Sequence, residues 1–357
     1  MIELGIDSFV GTSLDAAGLP TGEEKRMQQL LEAAELADQV GLNVFGIGEH
    51  HRPDYIASCP AVVLAAIAAR TKNLRLASAV TVLSSDDPVR VFQQFATLDL
   101  ISQGRAEIIV GRGSFIESYP LFGFDLKHYD ELFTEKLSLL LQLREEIYVH
   151  WAGKYRAPLT GQGVFPRPVQ KKLPIRLGVG GTPASFVRAG QLGLPLVVAI
   201  IGGPFAPFRP YVDLYREAWR NAGHPQGEMS VGIHTIGYVG ETTEEAAATL
   251  YPGYEVVFSR IGRERGWPGS PRQQFEGSRG PSGALMVGSP EDIATKILRV
   301  NTDLGGIDRV TIQIDGAMVG HENLLAAINR LGAEVAPRIA PAQVHRAAET
   351  REHFTFF

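Results

Sequence analysis

The chain has 357 residues, 45% hydrophobic and 20% charged, with a formal net charge of −5. That balance fits a soluble globular protein with a large core and gives no electrostatic case for nucleic acid, since no dense Lys/Arg block interrupts it. A single cysteine, Cys59, excludes an internal disulfide, and no apolar run approaches membrane-spanning length. Met1 leads straight into a strand-like segment with no basic n-region or apolar h-region, so the expected location is the cytoplasm.

In chain order, strands and helices alternate. Residues 2–9 read as a first strand. The segment 21–24, TGEE, matches a capping box and opens a helix with Met27, Leu30, Leu31 and Ala34 on one face, ended by Gly41. A short apolar strand starts at Val44, and an alanine-rich helix is predicted over 60–70. Residues 74–83 form a long third strand. Asp87-Pro88 is an N-cap followed by proline at the first helical position, opening a helix to about Ile101 that Gly104 stops. A fourth strand spans 106–110, and an amphipathic helix spans about 129–148.

Glycines and prolines break the rhythm over 151–173, which reads as an irregular insertion or a short hairpin. Strands at 175–179, 196–201, 231–239 and 309–314 follow. Helices begin at Thr182-Pro183, Phe208, a second capping box at 242–245 (TTEE) and Glu322, and Ser289 caps a further one. A second irregular stretch, 252–285, is rich in glycine, proline and arginine; it reads as a mobile lid loop near the catalytic face or as a surface excursion without a role. Eight strands alternating with helices argue for one (β/α)8 TIM barrel domain over 1–357, an α/β fold with insertions at about 151–173 and 252–285. A doubly wound open sheet is the alternative.

Within that frame, the stretch 44–51, VFGIGEHH, is a strand that ends in Glu49, His50 and His51 at the active-site face of a barrel. The stretch 177–183, LGVGGTP, is a strand, a glycine pair and a threonine N-cap before proline. Its free N–H groups and helix dipole suit a phosphate, with Thr182 and Ser185 adding hydroxyls; a plain strand-to-helix turn is the competing reading. Arg112, between Gly111 and Gly113, closes the fourth strand and can pair with an anion or serve as a surface arginine.

The ordered set of EHH at 49–51, ASAVTVL at 77–83, DPVR at 87–90, LDLISQGR at 98–105, GRG at 111–113, YDELFTEK at 129–136, FPRP at 165–168, GVGGTP at 178–183 and GSPED at 288–292 resembles the bacterial luciferase-like flavin-dependent oxidoreductases. The likeness covers nearly the whole chain. It implies a barrel holding FMN, or in some branches F420, with reduced flavin supplied by a separate reductase, a small-molecule substrate and a homo-oligomer such as a dimer. Carried over by position, it implies His50 as the catalytic residue. Ala79, Val80 and Thr81 border the flavin ring, and Gly111, Arg112, Gly181, Thr182 and Ser185 hold the cofactor, mainly its phosphate. Phe9, His51 and Phe115 face the substrate. It also implies a cis peptide between Ala79 and Val80. Luciferases place an acidic residue and a serine where this chain has Gly181 and Thr182, and can place a cysteine where it has Gly111. A metal-dependent barrel hydrolase using Glu49, His50 and His51, and a non-catalytic flavin-binding protein, are the other two functions weighed.

Overall fold

Buried β-branched and leucine-rich segments pair side by side until the sheet meets itself. The structure, a computed structural model, describes residues 1–12, 21–266 and 271–340. Strand β1 (Glu3–Ser8) leads to α1 (Glu23–Gln39), and β2 (Val44–Ile47) leads to α2 (Pro60–Ala68). Strands β3 (Arg75–Ser78) and β4 (Thr81–Val82) lead to α3 (Pro88–Ser102). Next come β5 (Ala106–Gly111), α4 (Ser118–Leu121) and α5 (Tyr129–Glu145), then β6 (Tyr148–Trp151) and β7 (Leu159–Gly163). The alternation resumes with β8 (Ile175–Val179), α6 (Pro183–Gln191), β9 (Leu196–Ala199), α7 (Arg209–Asn221) and β10 (Val231–Val239). The last elements are α8 (Thr243–Arg265), α9 (Pro271–Arg279), β11 (Met286–Gly288), α10 (Pro290–Asp303), β12 (Arg309–Gln313) and α11 (His321–Arg330).

The ring of parallel pairs runs β1, β2, β3, β5, β8, β9, β10, β12 and back to β1, with Glu3 opposite Arg309 and Asp7 opposite Gln313 at the closure. This is a closed (β/α)8 barrel, and the open-sheet alternative falls. Strand alternation sends every second residue toward the axis. Near the N-terminal ends of the strands, Glu107 is buried among Arg176, Arg309 and Arg75. Above it, Val44, Ala77, Ile109 and Val197 form a small apolar plate inside the ring. The larger core lies outside, between strands and helices. The polar plug and the plate leave only the C-terminal rim for chemistry. Among the described residues no helix is long and apolar enough to cross a membrane.

Some local expectations need correction. The strand read over 74–83 is two pieces, β3 and β4, on either side of a cis Ala79–Val80 peptide, the bond the resemblance implied. The insertion after α5 contains the antiparallel β6–β7 hairpin, which begins at Tyr148, so the helix stops three residues short of its expected end. Helix α1 is capped by Gly22 with no side-chain bond, so the capping box at Thr21 does not form, whereas Thr242 does accept from the Glu245 N–H. The segment 252–285 is mostly helical: α8 continues through Pro252 and Gly253 to Arg265, and α9 follows. Burial of Leu250, Tyr254, Val257 and Phe258 outweighs the loss of one ladder bond at proline. Residues 267–270 of that stretch lie outside the described residues.

Candidate active site

The C-terminal ends of the strands enclose a cavity of about 400 Å³, within the usual size of a small-molecule site. Its floor is made by Ala79, Val80, Gly111 and Gly178. The glycines are required there: a Cβ on Gly111 or Gly178 would come within 2.6 or 2.9 Å of a Val80 methyl. Gly46 plays the same part for Asp7, whose Oδ1 would lie 1.9 Å from an added Cβ.

His50 follows β2 and lines this cavity. Aromatic rings box it in, with centroids at 4.7 Å for Phe9, 4.3 Å for Tyr55 and 5.4 Å for Phe115. Burial, with smaller contributions from His51 and Arg52, drops its pKa to about 3, so the ring is neutral at physiological pH. Its Nε2 is buried and has no hydrogen-bond partner among the described residues. Glu49 and His51 turn to each other instead, with His51 Nε2 3.0 Å from Glu49 Oε1, while Glu49 Oε2 accepts from the Val82 N–H at 2.9 Å. His51 packs edge-on against Phe122 at 5.0 Å and is not part of the cavity wall. Among the described residues no group of three or more His, Cys, Asp or Glu side chains is placed to hold a metal ion. Glu49, His50 and His51 therefore do not assemble the ligand set of the hydrolase alternative.

At one end the cavity meets the start of α6. Neither Gly180 nor Gly181 has any atom within 4 Å of an added Cβ, so this turn faces open space. Thr182 is the N-cap and makes no side-chain cap bond. Arg112 reaches across to it, donating to Ser185 Oγ at 3.2 Å and to Asp130, with its guanidinium 4.8 Å from the Tyr129 ring centroid. A helix start, an arginine and hydroxyls converging on open space form an anion cradle.

At the other end α8 forms a roof through Val257, Phe258 and Ile261. Ion pairs tie this helix to the loops below. Arg52 donates to Glu117 at 2.6 Å and to Glu264 at 2.8 Å, and Arg260 donates to Asp54 at 2.7 Å.

Of the residues singled out from sequence, Phe9, His50, Ala79, Val80, Gly111, Arg112, Phe115 and Thr182 line the cavity. Ser185 joins them through Arg112, and Gly181 flanks the cradle. Thr81 is buried behind the wall, with its Oγ1 unpartnered among the described residues. Among the lining residues that escaped sequence reading are Asp7 and His234. Asp7 Oδ2 lies 2.7 Å from His234 Nδ1, although the two are 227 positions apart, and His234 stacks on Phe9 at 5.6 Å. The available signal was weak: a polar residue within an apolar strand, twice over.

The closed barrel carries a cavity at its C-terminal rim, lined by a buried neutral histidine and by the start of α6, where ligands of such barrels bind. The luciferase-like monooxygenase profile matches residues 8–306, and the chain belongs to that family, whose members are flavin-dependent oxidoreductases. An N-acetyl-S-alkylcysteine monooxygenase of Bacillus subtilis is 31% identical over 204 residues, covering 56% of this chain and 57% of the relative. The chain likewise spans only 65% of the length of a Sinorhizobium fredii relative. The oxygenase component of a flavin-dependent trigonelline monooxygenase from Acinetobacter baylyi is 23% identical over 349 residues, covering 92% of this chain and 94% of that one. The same fold recurs in the oxygenating constituent of 3,6-diketocamphane monooxygenase from Pseudomonas putida, solved with FMN. Its TM-score is 0.77 at 19% identity, covering 95% of this chain and 99% of that one. It recurs also in an F420-dependent secondary alcohol dehydrogenase, with a TM-score of 0.75 at 17% identity and the same two coverages of 95% and 99%.

Proposed function

We propose that the protein is an FMN-dependent monooxygenase that receives reduced flavin from a separate reductase and uses O2 on a small organic substrate. The observation that carries this reading is the single anion cradle at the start of α6, opening onto a cavity whose floor is the Ala79–Val80 segment. One cradle suits one phosphate, which favours FMN over a dinucleotide. The printed functions of the trigonelline and diketocamphane relatives support the same choice.

In this reading Arg112, Gly181, Thr182 and Ser185 hold the phosphate, and Ala79, Val80, Thr81 and Gly111 support the ring. Bound flavin supplies the redox chemistry with oxygen. His50 is the catalytic residue. Its neutral ring offers Nε2 as a hydrogen-bonding and proton-relay atom in a pocket that its aromatic neighbours keep dry. Phe9 and Phe115 shape the substrate space, and His51 acts from behind by holding Glu49. Exposed Val62, Leu100 and Ile101 along α2 and α3 support a homo-oligomer, which light scattering after gel filtration measures.

The test is the absorbance spectrum and mass of the cofactor bound after purification, with titrations of FMN, FAD and F420. FMN bound at micromolar or tighter affinity, and FAD more weakly, is the expected result. Preference for FAD or NAD sinks the proposal. Preference for F420 moves the protein to the second reading, which the F420-dependent neighbour of the same fold supports. Turnover with reduced flavin and O2 separates an enzyme from a non-catalytic flavin binder.

A further inference from the structure

The cavity contains one carboxylate–imidazole pair whose two members both line it: Asp7 on β1 and His234 on β10. The strand between them, β12, is paired to both, so the contact is built across three strands of the closed ring rather than on a loop. The side chains are 3% and 10% exposed. A carboxylate only accepts, so the 2.7 Å contact places the imidazole proton on Nδ1. Phe9, nearly parallel at an interplanar angle of 11°, covers one face of the ring. The remaining polar atom of His234 is Nε2. The pair differs from the other two histidines of the rim. His50 Nε2 has no hydrogen-bond partner among the described residues, and His51, which pairs with Glu49, does not itself line the cavity. The aromatic rings of Tyr55, Phe115 and Phe258 line the same cavity as His234.

Building on the flavin reading above, we propose that Asp7 and His234 form a proton-accepting pair for a hydroxylated aromatic substrate. The substrate ring lies between the aromatic walls with its hydroxyl on His234 Nε2. The O–H bond breaks, the proton passes to Nε2, and the electron pair stays on the substrate oxygen as a phenolate. Asp7 keeps the Nδ1–H bond and balances the imidazolium charge; its role is positioning, whereas His234 touches the substrate. A phenolate is more electron-rich at its ring carbons than the phenol, which suits an oxygenating partner.

The experiment uses the FMN-loaded protein with 4-nitrophenol as probe and 4-nitroanisole as its methylated control. The wild type binds the probe as phenolate, read from the phenolate absorbance band at a pH where the free probe is neutral. His234→Gln and Asp7→Asn weaken probe binding by roughly 10-fold or more, the scale of a lost hydrogen bond to a charged group, and leave 4-nitroanisole affinity unchanged. Histidine ¹⁵N resonances give a second readout that needs neither cofactor nor turnover: His234 carries its proton on Nδ1 in the wild type, and Asp7→Asn changes that tautomer. Binding of the probe as neutral phenol, unchanged phenolate binding in His234→Gln, displacement of the probe by FMN, or an Nε2–H tautomer overturns the proposal. Phenolate binding in a protein that fails to bind FMN sinks the flavin reading and upholds the pair.

Discussion

At the N-terminal end of the barrel axis Glu107 is surrounded by Arg309, Arg176 at 3.2 Å and Arg75 at 3.9 Å, and Arg309 also pairs with Glu3. At the C-terminal end, Asp7 Oδ1 on β1 and His50 Nε2 just past the end of β2 are buried with no hydrogen-bond partner among the described residues. Glu107 and Asp7 sit on strands, β5 and β1. One end surrounds its carboxylate with cations, although Arg75 Nη1 and Arg176 Nε there also lack a hydrogen-bond partner among the described residues; at the other end the unpartnered atoms belong to residues that line the cavity. Buried polar groups cost free energy unless satisfied, so the first pattern is what a plug requires and the second is what a ligand site leaves for its ligand.

Removing Glu107 attacks the plug most directly. Glu107→Ala leaves Arg309 buried without its main partner and is expected to cost about 3–5 kcal/mol of stability, read from urea unfolding. Cofactor affinity of the folded fraction should stay unchanged, because the plug lies across the apolar plate from the cavity. His50→Ala gives the opposite result. Turnover falls about 100-fold or more while the melting temperature holds, since an unpartnered buried atom is removed. If the variant keeps wild-type turnover, the role assigned to His50 is wrong. Arg112→Ala should weaken FMN by roughly 10-fold through loss of a charge-assisted contact, measured by fluorescence titration.

Acid provides the mildest test. Burial alone would raise the Glu107 carboxyl, but Arg176, Arg309 and Arg75 more than offset it, leaving its pKa at about 2 against the ordinary 4.5. A depressed carboxyl stabilises the fold above the unfolded value and loses that contribution as pH falls. Stability should therefore decline between about pH 4.5 and about pH 2, and Glu107→Gln should flatten that part of the profile. An unchanged slope in Glu107→Gln would show that other carboxylates control acid unfolding.

What could be read from the sequence follows from the range of the interactions. Strand–helix alternation, the Asp87 cap and the strand-end position of His50 are local, and the structure bears them out: Asp87 accepts from the Val89 and Arg90 N–H groups. The resemblance supplied the cis bond, which no propensity suggests. The helical course of 252–265 was hidden by Pro252 and Gly253, because composition signals a turn while the apolar spacing of Leu250, Tyr254 and Phe258 signals a buried helix, and packing decides between them. Tyr254 stacks on Phe258 at 4.0 Å and meets Phe275 of α9 at 5.1 Å, contacts between segments that each look irregular alone. Thr21 failed as a cap for a similar reason: the helix starts at Glu23, one position too late for that side chain to reach. Asp7 and His234 were invisible because their pairing exists only once the ring has closed.

The roof helix has one further consequence. In the proposed reading the residues that hold the cofactor come from β3, β4, β5 and the start of α6, whereas α8 enters the cavity through Val257, Phe258 and Ile261 and is tied to the rim by ion pairs of Arg52 and Arg260. In that reading the α8 part of the substrate wall lies on a stretch of chain separate from the cofactor-holding residues. Natural variation or deliberate exchange within α8 can re-tailor what the pocket admits without rewriting the part that reacts. A graft spanning 243–265 that retains Arg260, Glu264 and Arg265 keeps these rim contacts while changing the ceiling.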